Sequence, residues 1–423
     1  MSGDQAPSST TRVLQILGPG LITGASDDDP SGIATYSQVG AQFGYGMSWV
    51  MLFSFPLMAA IQETSARIGR ATGEGIAGNI RRYYPRGWLR AIVGLLLIAN
   101  IINLGADLGA MGSVVTMLAG GPALLYAVLF GALCAVLQIF TQYKRYVSLL
   151  KWTTVALFAY VGTALVVHIP WRDVLWQTLV PSLHFDTPYI VAIVAVLGTT
   201  ISPYLFFWQS SQEAEDVRDD PKAKPLKRAP KQAPAELRRI RIDTYLGMFL
   251  SNAVGWFIIV TVAATLNAHG VKDIATATQA AEALRPIAGP FAFALFAVGI
   301  IGTGMLAVPV LAGSAAYALA EALEWPSGLA RKPKAAKAFY GTIAVATLLG
   351  MVFNLLPIDP IRALFWTAVL NGVAAVPIMV MTMIMAGQKR VMGRFVLPWP
   401  LTAVGWLATA VMTAVAVAMF ATW

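Results

Sequence analysis

Charge is what this sequence has least of. Only 12% of its 423 residues are Asp, Glu, Lys or Arg, while 57% are hydrophobic. A water-soluble domain is nearer 25% charged and about 45–50% apolar. The apolar excess needs a non-aqueous surround, and lipid is the simplest one. Cysteine is nearly absent: Cys134 alone excludes an internal disulfide and a cysteine zinc cluster, and is expected as a small core residue in a helix. Three histidines, His168, His184 and His269, lie at or beyond the ends of apolar stretches. The N-terminal MSGDQAPSSTTRV lacks a charged n-region with a cleavage site, so no removable signal peptide is expected. No H-E-x-x-H, G-x-S-x-G or G-x-G-D motif occurs, so neither an enzyme nor a resident cofactor is expected.

What the chain does have is eleven apolar segments, near residues 14–42, 46–68, 89–117, 122–142, 148–168, 187–212, 242–266, 287–323, 337–357, 361–388 and 397–422. Each reaches the roughly 20 residues that a bilayer core requires, and the longer ones allow a tilt or a break. The net charge of +9 does not point to nucleic acid, because the basic residues sit in the gaps between these segments. With the N-terminus cytoplasmic, 25 of the 30 Lys and Arg fall inside, Arg67 lies at a span end, and Arg172, Lys272, Arg285 and Arg362 fall outside. That asymmetry predicts a multi-pass inner (plasma) membrane protein with a cytoplasmic N-terminus and an extracytoplasmic C-terminus. The charged, Pro-rich stretch 214–240 reads as a flexible cytoplasmic connector.

Segments one and six are interrupted alike. The first contains Asp27-Asp28-Asp29-Pro30-Ser31-Gly32, and the sixth contains Gly198-Thr199-Thr200-Ile201-Ser202-Pro203. Proline removes a backbone donor and clashes with the preceding turn, so each helix should break there. Backbone freed at membrane depth is tolerated only inside protein or along a cavity, and paired broken helices point to a transporter binding site. The offset of five spans predicts an all-α polytopic membrane protein with a LeuT-type inverted repeat, five plus five helices and one extra. The expected divisions are a cytoplasmic tail 1–13, a first repeat 14–168, an extracellular loop 169–186, a second repeat 187–388 and an eleventh helix 389–423.

Three consecutive aspartates cannot all stay ionised in a low-dielectric site without a counter-ion, and a cation is the natural partner. Adjacent residues point in different directions. Asp29, against the break, is therefore expected to bind the ion, while Asp27 and Asp28 line an entrance. Thr199 and Ser202 offer hydroxyls, and Glu213, about three turns beyond Ser202, is expected on the same face at the inner mouth.

At this point the residues carry a resemblance. Gly18-Pro19-Gly20, Asp29-Pro30-Ser31-Gly32-Ile33-Ala34-Thr35 and Gly40-Ala41-Gln42-Phe43-Gly44-Tyr45 resemble the first helix of the Nramp divalent-metal transporters, G-P-x, D-P-G-N-x-A-T and G-A-x-F-G-Y. Ile61-Gln62 through Arg67-Ile68-Gly69 and Thr72-Gly73 look like the family's second helix and following loop. The resemblance covers most of the chain and weakens in helices three, eight and ten. It implies that Asp29 matches the metal-binding aspartate. The family's asparagine ligand falls on Gly32, its methionine on Ser202 and its proton-linked histidine on Tyr204. Asp107 lies near the third helix's acid pair, Asn252 resembles a family asparagine with a gating role, and Asn371 is a further candidate for the site.

Thioether ligands suit soft metals, whereas carboxylate, carbonyl and water suit magnesium and manganese. Magnesium usually keeps several waters around one or two carboxylates. Trading Asn for Gly and Met for Ser leaves room for that water. These departures resemble the Nramp-related magnesium transporters, which implies uptake of hydrated magnesium, with manganese also accepted, without proton coupling. The rival is a proton-coupled manganese or iron transporter of the ordinary Nramp type. An amino-acid symporter is disfavoured by the acidic triplet, since a carboxylate substrate wants helix N-termini and cations. The expected partners are a divalent ion and the bilayer, with no nucleic acid, and the chain is expected to be a monomer.

Overall fold

The computed structural model of the chain describes residues 19–141 and 153–422. The tail 1–13, the first residues of segment 14–42, Lys144, Arg145, Lys151 and the start of segment 148–168 lie outside the described residues. The described chain is helical throughout, and the helix ends follow local chemistry. α1 (Pro19–Asp27) and α2 (Pro30–Phe43) are the halves of the first broken segment. Pro30 occupies the first turn of α2, where a missing N–H costs nothing, and Asp29 caps it. α2 stops at Gly44, whose φ of +59° suits glycine. α3 (Ser48–Thr72), α4 (Arg86–Ala119) and α5 (Ala123–Phe140) follow, with a short helix Ile76–Tyr83 between α3 and α4.

The sixth segment forms α6 (Thr187–Thr200) and α7 (Pro203–Asp219), broken at Ile201 and Ser202. Then come α8 (Ala233–Thr265), α9 (Ala292–Leu323), α10 (Lys337–Phe353), α11 (Pro360–Gly387) and α12 (Trp399–Thr422). Among the described residues eight helical stretches are long and apolar enough to cross a membrane. This is fewer than the eleven expected spans. The stretch Pro30–Thr72 joins the second half of segment one to segment two, α10 has only 17 residues, and segment five is described as the short apolar helix Val155–Val166. Large apolar side chains on the outer helices, such as Leu129 of α5, Val345 of α10 and Val417 of α12, are more than half exposed, as lipid-facing residues are. Cys134 is buried in α5.

α1 packs on α7 and α2 packs on α6. The two broken segments therefore run antiparallel, with their breaks side by side. α8 lies along both α1 and α2, and α4 pairs with α9. The contact between α1 and α8 is main chain to main chain: a Cβ on Gly24 would fall 2.4 Å from the Gly247 carbonyl.

One loop expectation differs from the structure. Stretch 214–240 is helical at both ends, and its middle is anchored rather than free. Leu226 and Lys227 donate their amides to Arg70 O and Ala71 O, Leu226 is fully buried, and Lys227 Nζ donates to Val391 O. One apolar side chain and an edge of backbone hydrogen bonds outweigh the charged composition. Loop 169–186 contains the helix Trp171–Leu179, whose Thr178 hydroxyl donates to Ser48 Oγ of α3.

Candidate metal-ion site

The aspartate triplet is divided by the break. Asp27 ends α1, Asp28 lies in the bend, and Asp29 is the extended residue that caps α2. All three are buried. Ser251 Oγ of α8 lies 2.5 Å from Asp27 Oδ2 and 3.1 Å from Asp28 Oδ1. Asp27 and Asp28, the two acids expected along an entrance, thus both turn to one hydroxyl of α8.

Asp29 points the other way. Its Oδ1 accepts from Ser31 Oγ and from the Gly32 amide, each at 2.7 Å. Its Oδ2 accepts from Asn103 Nδ2 of α4 at 3.2 Å and lies 3.3 Å from the Tyr204 hydroxyl of α7. The same phenol lies 2.9 Å from Ser26 O. Three helices, α2, α4 and α7, thus converge on one carboxylate.

Gly32 sits one turn into α2, where a Cβ would meet Asp27 O and Thr199 Oγ1, both at 3.2 Å. The glycine is what lets the end of α6 come this near. Ser202 begins α7, and its hydroxyl donates back to Gly198 O at 2.7 Å and Thr199 O at 2.9 Å. It satisfies carbonyls freed by the break, while its lone pairs remain available. Asp107 is fully buried on α4, near Asp29 and the Ser31 amide, and neither of its oxygens has a hydrogen-bond partner of ordinary geometry. The described residues contain no group of three or more His, Cys, Asp or Glu side chains arranged to hold a metal ion. The oxygens around Asp29 are instead mixed: carboxylate, carbonyl and hydroxyl.

Three candidates lie elsewhere. Glu213 is fully buried, with Oε2 accepting from Arg239 Nη2 at 2.5 Å. Its position three turns beyond Ser202 is as expected, but a cation on α8 already claims it. Asn252 donates to Ser54 Oγ of α3 at 3.2 Å, as an interhelical tie. Asn371 is buried on α11 with Nδ2 unpartnered, next to Gly372, which packs on Gly198. Two further acids accept hydrogen bonds within the protein: buried Glu63 pairs with Arg67 at 2.6 Å, and half-buried Glu321 accepts from the Gly78 amide at 3.0 Å.

Sequence reasoning missed Asn103, Ser251 and the buried Tyr36, whose ring a Cβ on Gly32 would meet at 3.5 Å. Asn103 lies four residues before Asp107, and Tyr36 lies four after Gly32, so helical spacing places each on a face already singled out. Ser251 carries no such signal.

The surroundings differ on the two sides of the break. A cavity of about 280 Å³ runs along α2, lined by Ala34, Gln38, Gln42, Asp273, Arg362 and neighbours. Ala34 is five residues from Asp29, roughly 7.5 Å along a helix axis. On the other side α1 is clamped. The Gly20 amide donates to Asp243 Oδ2 at 2.7 Å, and Gln209 links Thr244 to Gln62.

Comparison with known proteins gives this geometry a context. The Nramp family model, described as natural resistance-associated macrophage protein-like, matches residues 20–422. A relative from Deinococcus radiodurans named divalent metal cation transporter MntH is 27% identical over 433 residues, covering 98% of this chain and 91% of the relative. A crystal structure of a mutant Eremococcus coleocola manganese transporter superposes with a TM-score of 0.76 at 16% identity, over 98% of this chain and 88% of that one. MhsT in complex with L-phenylalanine, a LeuT-fold neighbour, gives 0.58 at 15% identity, over 95% and 98%. Both likenesses concern the fold.

Proposed function

Because the chain belongs to the Nramp family, we propose that it is a divalent metal cation transporter, and more narrowly that it takes up hydrated magnesium. Manganese is also accepted, and no proton is coupled to the movement. The observation that carries this reading is the surround of Asp29: one carboxylate, a glycine where a ligand side chain would stand, and hydroxyl and carbonyl oxygens nearby.

An arriving cation meets Asp29 through Oδ2, whose two contacts are the longer ones. Tyr204 gives way readily, since its proton already has the Ser26 carbonyl as acceptor. Asn103 can turn its amide oxygen, which has no partner, toward the ion. Thr199 Oγ1 and Asp27 O complete an oxygen-only set that suits a hard ion retaining much of its water. Tyr204 also supports the uncoupled reading, because a phenol does not trade protons near neutral pH as an imidazole does. The membrane potential then suffices as a driving force: about 2.3 kcal/mol per charge per 100 mV, or about 4.6 for a dication.

The arrangement also suits alternating access. A cavity lies along α2 beyond one side of the break, while α1 is packed main chain to main chain against α8 on the other. In the membrane orientation predicted by the Lys and Arg asymmetry, the cavity faces outward.

A second reading, proton-coupled manganese transport, draws on the relatives named for manganese and for divalent metal cations. One experiment separates the two. In proteoliposomes with an imposed inward magnesium gradient, a magnesium dye and a trapped pH dye are followed together. Magnesium influx with a constant lumenal pH is expected. Acidification in proportion to influx overturns the uncoupled reading, and manganese influx without magnesium influx overturns the choice of ion.

A further inference from the structure

α4 and α9, with Arg81 of the helix Ile76–Tyr83 and Glu324, line a groove of about 680 Å³ that has no part in the ion site. Its rim carries Arg81, Arg86 and Arg90, and its walls are apolar, with Val93 and Leu97 of α4 facing Leu319 of α9. Arg86, Arg90, Val93 and Leu97 follow one another at helical spacing, so a single stripe changes from cationic to greasy along the helix. Arg81 is ion-paired with Glu324. Arg86 and Arg90 are exposed and have no ion-pair partner among the described residues. Both guanidiniums therefore stand in front of an apolar slot with their charge uncompensated.

Two further features point to an anion with an apolar tail. α4 starts here, its N-cap Pro85 supplies no side-chain hydrogen bond, and a 34-residue helix presents its positive end to the same rim. Gly94 lies in the groove, and a Cβ there would meet nothing within 4 Å, so the slot is open at its floor. Trp88, 56% exposed beside the arginines, is the residue type that sits at headgroup depth. We propose that this groove binds an anionic phospholipid, its phosphate held by Arg86 and Arg90 and one acyl chain lying between α4 and α9. Basic pockets between transmembrane helices suit such headgroups. The lipid would brace α4, the helix that presents Asn103 to Asp29.

The test uses the full chain in a neutral detergent, with thermal unfolding read by intrinsic fluorescence during titration with phosphatidylglycerol, phosphatidylcholine or glycerol phosphate. Phosphatidylglycerol is expected to raise Tm by a few degrees, and the other two to leave it unchanged. The rise should disappear in the Arg86→Ala/Arg90→Ala double variant and in Gly94→Leu, which keeps both arginines but fills the slot. An equal rise with phosphatidylcholine overturns the role of charge. An equal rise with glycerol phosphate reduces the site to an anion site and overturns the lipid. A rise that survives in either folded variant overturns the location.

Discussion

The two helix breaks use the same parts, a proline opening the second half-helix and a short polar residue before it, and they do opposite work. At the first break Asp29 faces forward. Its carboxylate caps the amides of α2 and collects Asn103 and Tyr204 from two other helices. At the second break Ser202 faces backward. Its hydroxyl closes the carbonyl end of α6, and no side chain caps α7. One break concentrates negative charge where several helices meet, and the other removes loose polarity from its own chain. A charged N-cap interacts with the helix dipole and with a cation alike, whereas a neutral hydroxyl mends backbone hydrogen bonds. The breaks match in sequence position and differ in what their polar residues hold.

This asymmetry can be broken most severely at Asp29. Asp29→Ala is expected to lower magnesium influx in proteoliposomes at least about 100-fold, equivalent to about 2.7 kcal/mol. Unchanged flux would remove Asp29 from the site. A smaller effect is expected from Gly32→Asn combined with Ser202→Met, which adds an amide and a thioether to an oxygen-only surround. Competition between cadmium and magnesium should shift toward cadmium by about tenfold, since thioether favours softer ions. The added Cβ at position 32 would sit 3.2 Å from its neighbours, a tight fit that asks them to move slightly. Unaltered competition would refute the ligand argument. The smallest effect should come from Ser202→Ala. Losing a hydroxyl that mends backbone should cost about 0.5–1.5 kcal/mol of stability in a thermal melt, with influx changed by less than about threefold. A loss of flux as deep as that of Asp29→Ala would make the two breaks equivalent after all.

The breaks themselves were readable in the sequence because proline acts locally: Pro30 and Pro203 stop a helix whatever surrounds them. So was the place of Asp29 against the first break, where it caps α2. The companions of Asp29 were harder to find, because they are set by how helices cross. Asn103 reaches the site only because α4 lies against the break, and Ser251 takes Asp27 and Asp28 only because α8 does. Glu213 shows the converse. Its helical register was right, but the pairing with Arg239 spans 26 residues and a loop, and no spacing rule reports that. The anchoring of stretch 214–240 was hidden for a similar reason, since Leu226 is a single apolar residue within a charged run.

The contact between Gly24 and Gly247 bears on the tempo of transport. A barrier made of a bulky side chain can swing aside in a rotamer change, on picosecond to nanosecond times. Here the contact between α1 and α8 is main chain against main chain, and it has no rotamer to change. It opens only when whole helices part, a collective movement of microseconds to milliseconds. Gly24 and Gly247 thus leave α1 and α8 no side chain to turn between them, and any opening there moves both helices together.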